Sequence, residues 1–200
     1  MKSDAIFEKL VRAIGQPRAI GSTGYEPIFY AVYPPEKTYQ MRETVELAFS
    51  KYLQKCGYKP VFFDVNKVVW EILESSEEWK EICQVLKDSP ESIVDLQPTI
   101  NEIVDGENSL IVERLKEFIR QISVNERDNS PVVLVNGLEA LHGITRPGTI
   151  ESRLNGSFTV PTLFFYPGKI EGGAGLSFLG FYPVDSNYRS EHFDLTEAFL

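Results

Sequence analysis

Two places in the sequence hold residues of the kinds that handle phosphate esters, and neither is complete. A P-loop needs G-x-x-x-x-G-K-[ST] directly after a first strand, so that backbone amides and a lysine surround the phosphates. Here the run PIFYAVY (27–33) is followed by Pro34-Pro35-Glu36-Lys37-Thr38. Lys37-Thr38 echoes the motif, but the glycines are absent and two prolines remove amide donors where a phosphate would need them. The run Val-Val-Leu-Val-Asn136-Gly137-Leu138-Glu139 has the shape of a Walker-B strand. Asn136, however, stands where a magnesium-binding carboxylate would be, and Glu139 lies three residues too far along. The dinucleotide fingerprint G-x-G-x-x-G is missing. Gly172-Gly173-Ala174-Gly175 leads into a strand and not a helix N-terminus, so it reads as a hairpin-like loop and not an anion cradle. His142 and His192 have no partner at metal-ligand spacing. Cys56 and Cys83 fall on predicted helices and read as buried hydrophobes. Asp64, at a strand end, reads as a ligand-orienting carboxylate or as a cap. Spacing alone assembles no nucleophile with a general base. No catalytic, cofactor-binding or metal-binding residue is assigned, and no cofactor is expected.

The elements that would position these residues alternate between helix and strand. Apolar residues at Ile6, Phe7, Leu10, Val11 and Ile14 predict an amphipathic helix over 4–14, capped by Ser3 or Asp4 and ended by Gly15 and Pro17. Gly21 to Gly24 reads as a loop. After the first strand, Thr38 is placed to cap a helix lined by Met41, Val45, Ala48, Phe49, Tyr52 and Leu53. VFFDV (61–65) is a second strand, which makes a right-handed βαβ unit. Asn66 is read as the cap of the next helix, Ser75 with Glu78 as a capping box, and Ser89-Pro90 as a further helix start. Pro98 is expected to split its segment into two short helices. A last helix runs from Leu110 to Ile122. Strands are then expected at 131–135, at 160–166 (halted by Pro167-Gly168) and at 176–182, with a short helix around 150–154 between the first two. The result is one α/β domain over 1–200: a three-layer sandwich on a mainly parallel sheet of about five strands, a degenerate P-loop-like or Rossmann-like scaffold with a helical insertion over 67–123. Two-sided apolar patterns place Phe29, Val61, Val133 and Leu163 at the sheet centre.

Composition narrows the function classes. Twenty Lys and Arg against 29 Asp and Glu give a net charge of −9, which disfavours the phosphate contacts that dominate nucleic-acid affinity. Direct nucleic-acid binding is not expected. Two cysteines agree with a reducing compartment, and no leader or membrane-spanning run is evident. A cytoplasmic, unanchored protein is the expectation.

The C-terminal third carries a resemblance. A strand leading into Gly137, then Arg146 and Asn155, is followed by Val160-Pro161 and Phe165-Tyr166-Pro167-Gly168. Leu176 to Gly180 (LSFLG) and Asn187-Tyr188-Arg189 close the pattern. Together these resemble the BrxB family of small proteins from BREX bacteriophage-exclusion systems, and residues 27–66 fit more loosely. The opening strand departs from the family in ending on Pro34-Pro35, and the 168–176 loop is longer and richer in glycine. The resemblance implies phage defence inside a multi-protein complex, with no established catalytic site. It implies as partner a PglZ-like protein of the alkaline-phosphatase superfamily, beside other BREX components such as a methyltransferase and an ATPase.

Three readings follow. The first is a non-catalytic interaction or scaffold module, with Tyr166, Pro167, Gly168, Tyr182, Asn187, Tyr188 and Arg189 as the candidate partner-binding residues. The second is a degenerate nucleotide or small-ligand binder that would bring Asp64, Asn136 and 166–168 together. The third is a nucleic-acid-contacting subunit with Arg146, Arg153, Lys169 and Arg189 on one basic face. Arg189 is the sharpest candidate, since its guanidinium can pair with two carboxylate oxygens at once. Its alternative role is an internal salt bridge.

Overall fold

The computed structural model describes residues 2–16, 26–126, 129–172, 175–186 and 188–199. Pro17, the 21–24 loop, Gly173, Ala174 and Asn187 lie outside the described residues.

Helix α1 (Lys2–Gly15) leads to strand β1 (Ile28–Tyr33). A 3-10 turn (Pro35–Lys37), one helical turn α2 (Thr38–Gln40) and a π-helical turn (Met41–Val45) then run without a break into α3 (Glu46–Lys55). Strand β2 (Lys59–Asp64) is followed by four helices: α4 (Val65–Ser75), α5 (Glu77–Asp88), α6 (Ile93–Asp105) and α7 (Leu110–Asn125). Strand β3 (Pro131–Asn136), α8 (Pro147–Arg153), β4 (Thr162–Glu171), β5 (Gly175–Phe178) and β6 (Glu191–Asp194) complete the chain.

The sheet order is β2-β3-β4-β1-β6, all parallel, with β5 antiparallel on the far end of β4. β1 and β2 are therefore not neighbours, because β3 and β4 come between them. Alternate residues feed opposite faces, as the pleat requires. Tyr30, Val32, Val133, Val135, Phe164 and Tyr166 join helices α4 to α8 in one core. Phe29, Ala31, Leu134, Leu163 and Phe165 join α1 and α3 in the other. This is the three-layer α/β arrangement, and it explains why β1, β3 and β4 read as unbroken apolar runs. Among the described residues no helix is long and apolar enough to cross a membrane.

Several local expectations are corrected, each for a physical reason. Phe29, Val133 and Leu163 are buried at the centre, but Val61 is only half-buried, because β2 is an edge strand. Lys59 donates its N–H to Ser130 on the β3 side, so by alternation the missing N–H of Pro60 faces the open edge, where it blocks further pairing. Helix α1 begins before Ser3 and Asp4, so neither is its cap. Thr38 is inside its helical run and donates its hydroxyl to the Pro35 carbonyl. Asp64, not Asn66, caps α4 through Lys67 N–H. Ser76, not Ser75, caps α5 through Trp79 N–H, while the Ser75 hydroxyl bonds back to Ile72. Pro98 does not divide α6, since Ile100 and Val104 beyond it are buried and keep the helix in register with the core. Cys56 is exposed at the end of α3 and Cys83 is half-buried. Ala48 is exposed and Glu46 buried, because the π turn carries an extra residue per turn and rotates the following face.

The largest differences lie near the C-terminus. β4 does not stop at Pro167-Gly168 but continues to Glu171, exchanging its parallel neighbours for antiparallel β5. The sequence expectation of a strand to Tyr182 is shortened to Phe178, and a sixth strand, β6, appears beside β1.

Candidate partner-binding face

Where β5 ends, Leu179 and Gly180 follow with φ of 52° and 73°. Glycine adopts this backbone freely, whereas a leucine there costs on the order of 1–2 kcal/mol. Four hydrogen bonds hold the turn in place. Leu179 N–H donates to the Pro167 carbonyl at 2.9 Å and Gly180 N–H to the Ser177 carbonyl at 3.2 Å. Tyr182 N–H donates to the Phe178 carbonyl at 3.1 Å, and the Ser177 hydroxyl to the Tyr182 carbonyl at 2.8 Å. Leu179 thereby packs onto the core while Phe181 stands in solvent, 66% exposed.

Tyr182 is held from several sides. Its hydroxyl lies 2.9 Å from His142 Nδ1 and accepts from Gly143 N–H at 3.2 Å. The Arg146 guanidinium sits over its ring at 5.1 Å, a cation–π distance. Phe181 stacks on it with ring centres 4.9 Å apart, and His142 meets Phe181 edge-on at 5.6 Å.

The residues singled out from the sequence separate into support and surface. Tyr166, Pro167 and Gly168 are buried. The Tyr166 hydroxyl lies 3.3 Å from that of Tyr188, and burial raises both phenols, Tyr188 to about 12. Tyr182 and Tyr188 are half-buried and Arg189 is exposed. Arg189 donates its backbone N–H to Glu151 Oε1 at 2.9 Å and its Nη1 to Asn155 Oδ1 at 3.0 Å. Its side chain therefore bonds an amide rather than a carboxylate, on the wall of a cavity of about 250 Å³ shared with Glu26, Glu151 and Asn155. Tyr182 belongs to the carboxyl end of the sheet, beside the residues after β3. Arg189 precedes β6 and belongs to the amino end, and Tyr188 lies between them. Asn187 is outside the described residues.

The four basic residues considered for nucleic acid occupy three settings. Arg146 lies over Tyr182 and Lys169 beside Gly180, Arg153 pairs with Asp105 at 2.8 Å, and Arg189 is at Asn155. Ser190 Oγ lies 3.3 Å from His192 Nε2 but also 3.3 Å from Glu151 Oε2. Its proton thus has a competing acceptor, and the pair is a poor nucleophile and base.

At the carboxyl edge Asp64 and Asn136 are register partners, and Arg42, Glu46 and Glu139 join them. Asn136 Nδ2 donates to Glu46 Oε2 at 2.8 Å, and Arg42 Nη2 meets Glu139 Oε1 at 3.0 Å. Gly137, with φ of 73°, passes so close that a Cβ would stand 2.9 Å from Arg42 Nη2 and 3.0 Å from Asp64 Oδ1. These pairs tie the helix after β1 to the loop after β3, and they leave Asn136 Oδ1, Arg42 Nε and Glu139 Oε2 buried without a hydrogen-bond partner. Arg42 and Glu46 escape a sequence reading because their partners lie far along the chain and the π turn hides the inward position of Glu46.

Burial raises the Glu46 carboxyl above its ordinary value, opposed by Asn136 and Arg42. An acid raised in the folded state favours folding when protonated, and that contribution is lost as pH rises through the raised value. A Glu46→Gln variant keeps an acceptor for Asn136 without the charge. It is expected to melt a few degrees above the wild type at pH 8, with the difference shrinking toward pH 4. A pH-independent difference in thermal scans would contradict the assignment.

A family model described as the BREX protein BrxB matches residues 61–193, the greater part of the chain. No curated protein and no solved structure gives a match.

Proposed function

The chain belongs to the BrxB family of BREX phage-defence components, and from that premise we propose that it serves there as a non-catalytic interaction module for a PglZ-like partner. The observation that carries this reading is the C-terminal surface. It keeps a large aromatic side chain, Phe181, in solvent on a strained turn held by four hydrogen bonds. Single exposed apolar residues are common on protein surfaces, and Tyr39, Val94 and Val124 are at least as exposed. What sets Phe181 apart is that its turn is held by hydrogen bonds and that it stacks on Tyr182 with a cation over that ring. The contact surface runs from Phe181 and Tyr182 past Tyr188 to Arg189, over the buried support of Tyr166, Pro167 and Gly168. Tyr and Arg are the types that dominate interface hot spots. The ligand-binding alternative has less support, because the carboxyl edge carries no glycine-rich phosphate loop. Asn136 pairs there with Glu46 and Arg42 with Glu139, although Asn136 Oδ1, Arg42 Nε and Glu139 Oε2 are buried without a hydrogen-bond partner.

Arg189→Ala tests the far end of this surface. Among the described residues its side chain hydrogen-bonds Asn155 at the surface, so the variant is expected to melt within a few degrees of the wild type yet retain less PglZ-like protein in a pull-down. Undiminished capture would remove Arg189 from the contact surface, and unfolding would make it a structural residue.

A further inference from the structure

The aromatic step at Phe181 carries a statement about the chemistry of its partner, resting on the interaction reading above. The ring is prepared in advance: strain at Leu179, four hydrogen bonds in the turn, and the anchoring of the Tyr182 hydroxyl leave little freedom to lose on binding. Rigid aromatic anchors of this kind bind with a small ordering penalty.

The charges beside it are the second observation. In a chain of net charge −9, each neighbour of Phe181 has a cation next to it. The Arg146 guanidinium lies over the Tyr182 ring. The Lys169 stem runs along Gly180, its Cε 3.4 Å from where a Cβ on that glycine would stand. His142 adds an imidazole at the Phe181 edge. The nearby Asp185 carboxylate lies instead against Gly148.

We propose that the Phe181–Tyr182 step, flanked by Arg146 and Lys169, is the docking site for an acidic segment of the protein partner, in which an apolar side chain covers Phe181 and neighbouring Asp or Glu residues pair with the two cations. Charge complementarity selects this occupant. A second copy docking by the same face would set cation against cation, and the two cations are too few to hold a polyanion such as DNA at physiological salt.

The test uses the full-length chain and the purified PglZ-like protein of the same system, with affinity measured by calorimetry at low and moderate salt. Phe181→Ala is expected to weaken binding at least about tenfold with an unchanged melting temperature. Lys169→Glu and Arg146→Glu are each expected to weaken it and to flatten its salt dependence. If the wild type binds and Phe181→Ala binds equally well, or if wild-type binding ignores salt, the docking site is wrong while the interaction reading stands. If the wild type binds DNA but not the protein, both fall.

Discussion

Tyr166→Ala is expected to lower the melting temperature by roughly 6–20 °C, the largest effect of any single truncation in the region of family resemblance. Tyr166 is fully buried. Its ring meets Tyr30 at 5.4 Å, Phe178 at 5.6 Å and Tyr188 at 6.1 Å. Removing a buried aromatic ring costs about 3–5 kcal/mol, a large part of the roughly 5–15 kcal/mol that holds a domain folded. The loss falls on the strand that supports β5 and on the ring that seats Tyr188. Tyr166→Phe keeps the ring and gives up only the contact with the Tyr188 hydroxyl, a loss of about 1 kcal/mol. Thermal denaturation of the two variants separates these contributions, and an alanine variant melting within three degrees of the wild type would contradict the packing described. Any loss of partner capture in Tyr166→Ala is thus a consequence of unfolding, unlike the loss expected for Phe181→Ala.

Gly168→Ala is the second large effect, and its cause is steric. A Cβ there would stand 2.4 Å from the Ser177 carbonyl oxygen and 2.5 Å from Tyr166 Cε1. The carbonyl belongs to the paired strand and cannot move without opening the β4–β5 ladder, in which Gly168 is the register partner of Phe178. Overpacking of this kind costs about 1–3 kcal/mol or more. Because the turn that presents Phe181 hangs from β5, partner capture should fall together with the melting temperature. Gly156→Ala is the control: its φ of 83° makes it strained, but nothing lies within 4 Å of an added Cβ, so it should cost only about 1 kcal/mol. Equal losses at the two positions would show that backbone strain, and not the close approach of β5, governs this region.

The division between what could and could not be read from the sequence has a consistent cause. β1, β3 and β4 are legible because burial on both faces leaves an unbroken apolar run, and helices α1 and α7 because one apolar stripe fits one period. β6 is not legible, because EHFD pairs at a sheet edge and carries mostly polar side chains. Proline and glycine mislead at Pro167-Gly168. They are read as a stop, yet Pro167 sits where β4 is leaving its parallel neighbours and Gly168 admits the strand that replaces them. Caps are misplaced by one or two residues at Asp64 and Ser76, since several neighbouring side chains could serve and tertiary packing chooses among them. Of the residues proposed for the contact surface, Tyr182 and Tyr188 are half-buried and Arg189 is exposed. The sequence gives no sign that Tyr166 faces inward, nor that Phe181 next to Tyr182 is the exposed member. That depends on a left-handed leucine, which no propensity scale anticipates.

The central claim, that this BrxB-family chain is a non-catalytic module that holds a PglZ-like partner, is tested most directly by size-exclusion chromatography with light scattering. The purified chain is mixed with the purified PglZ-like protein of its own system at tens of micromolar. The expected result is one co-eluting complex, formed without nucleotide. Separate elution of two folded proteins under those conditions would contradict it.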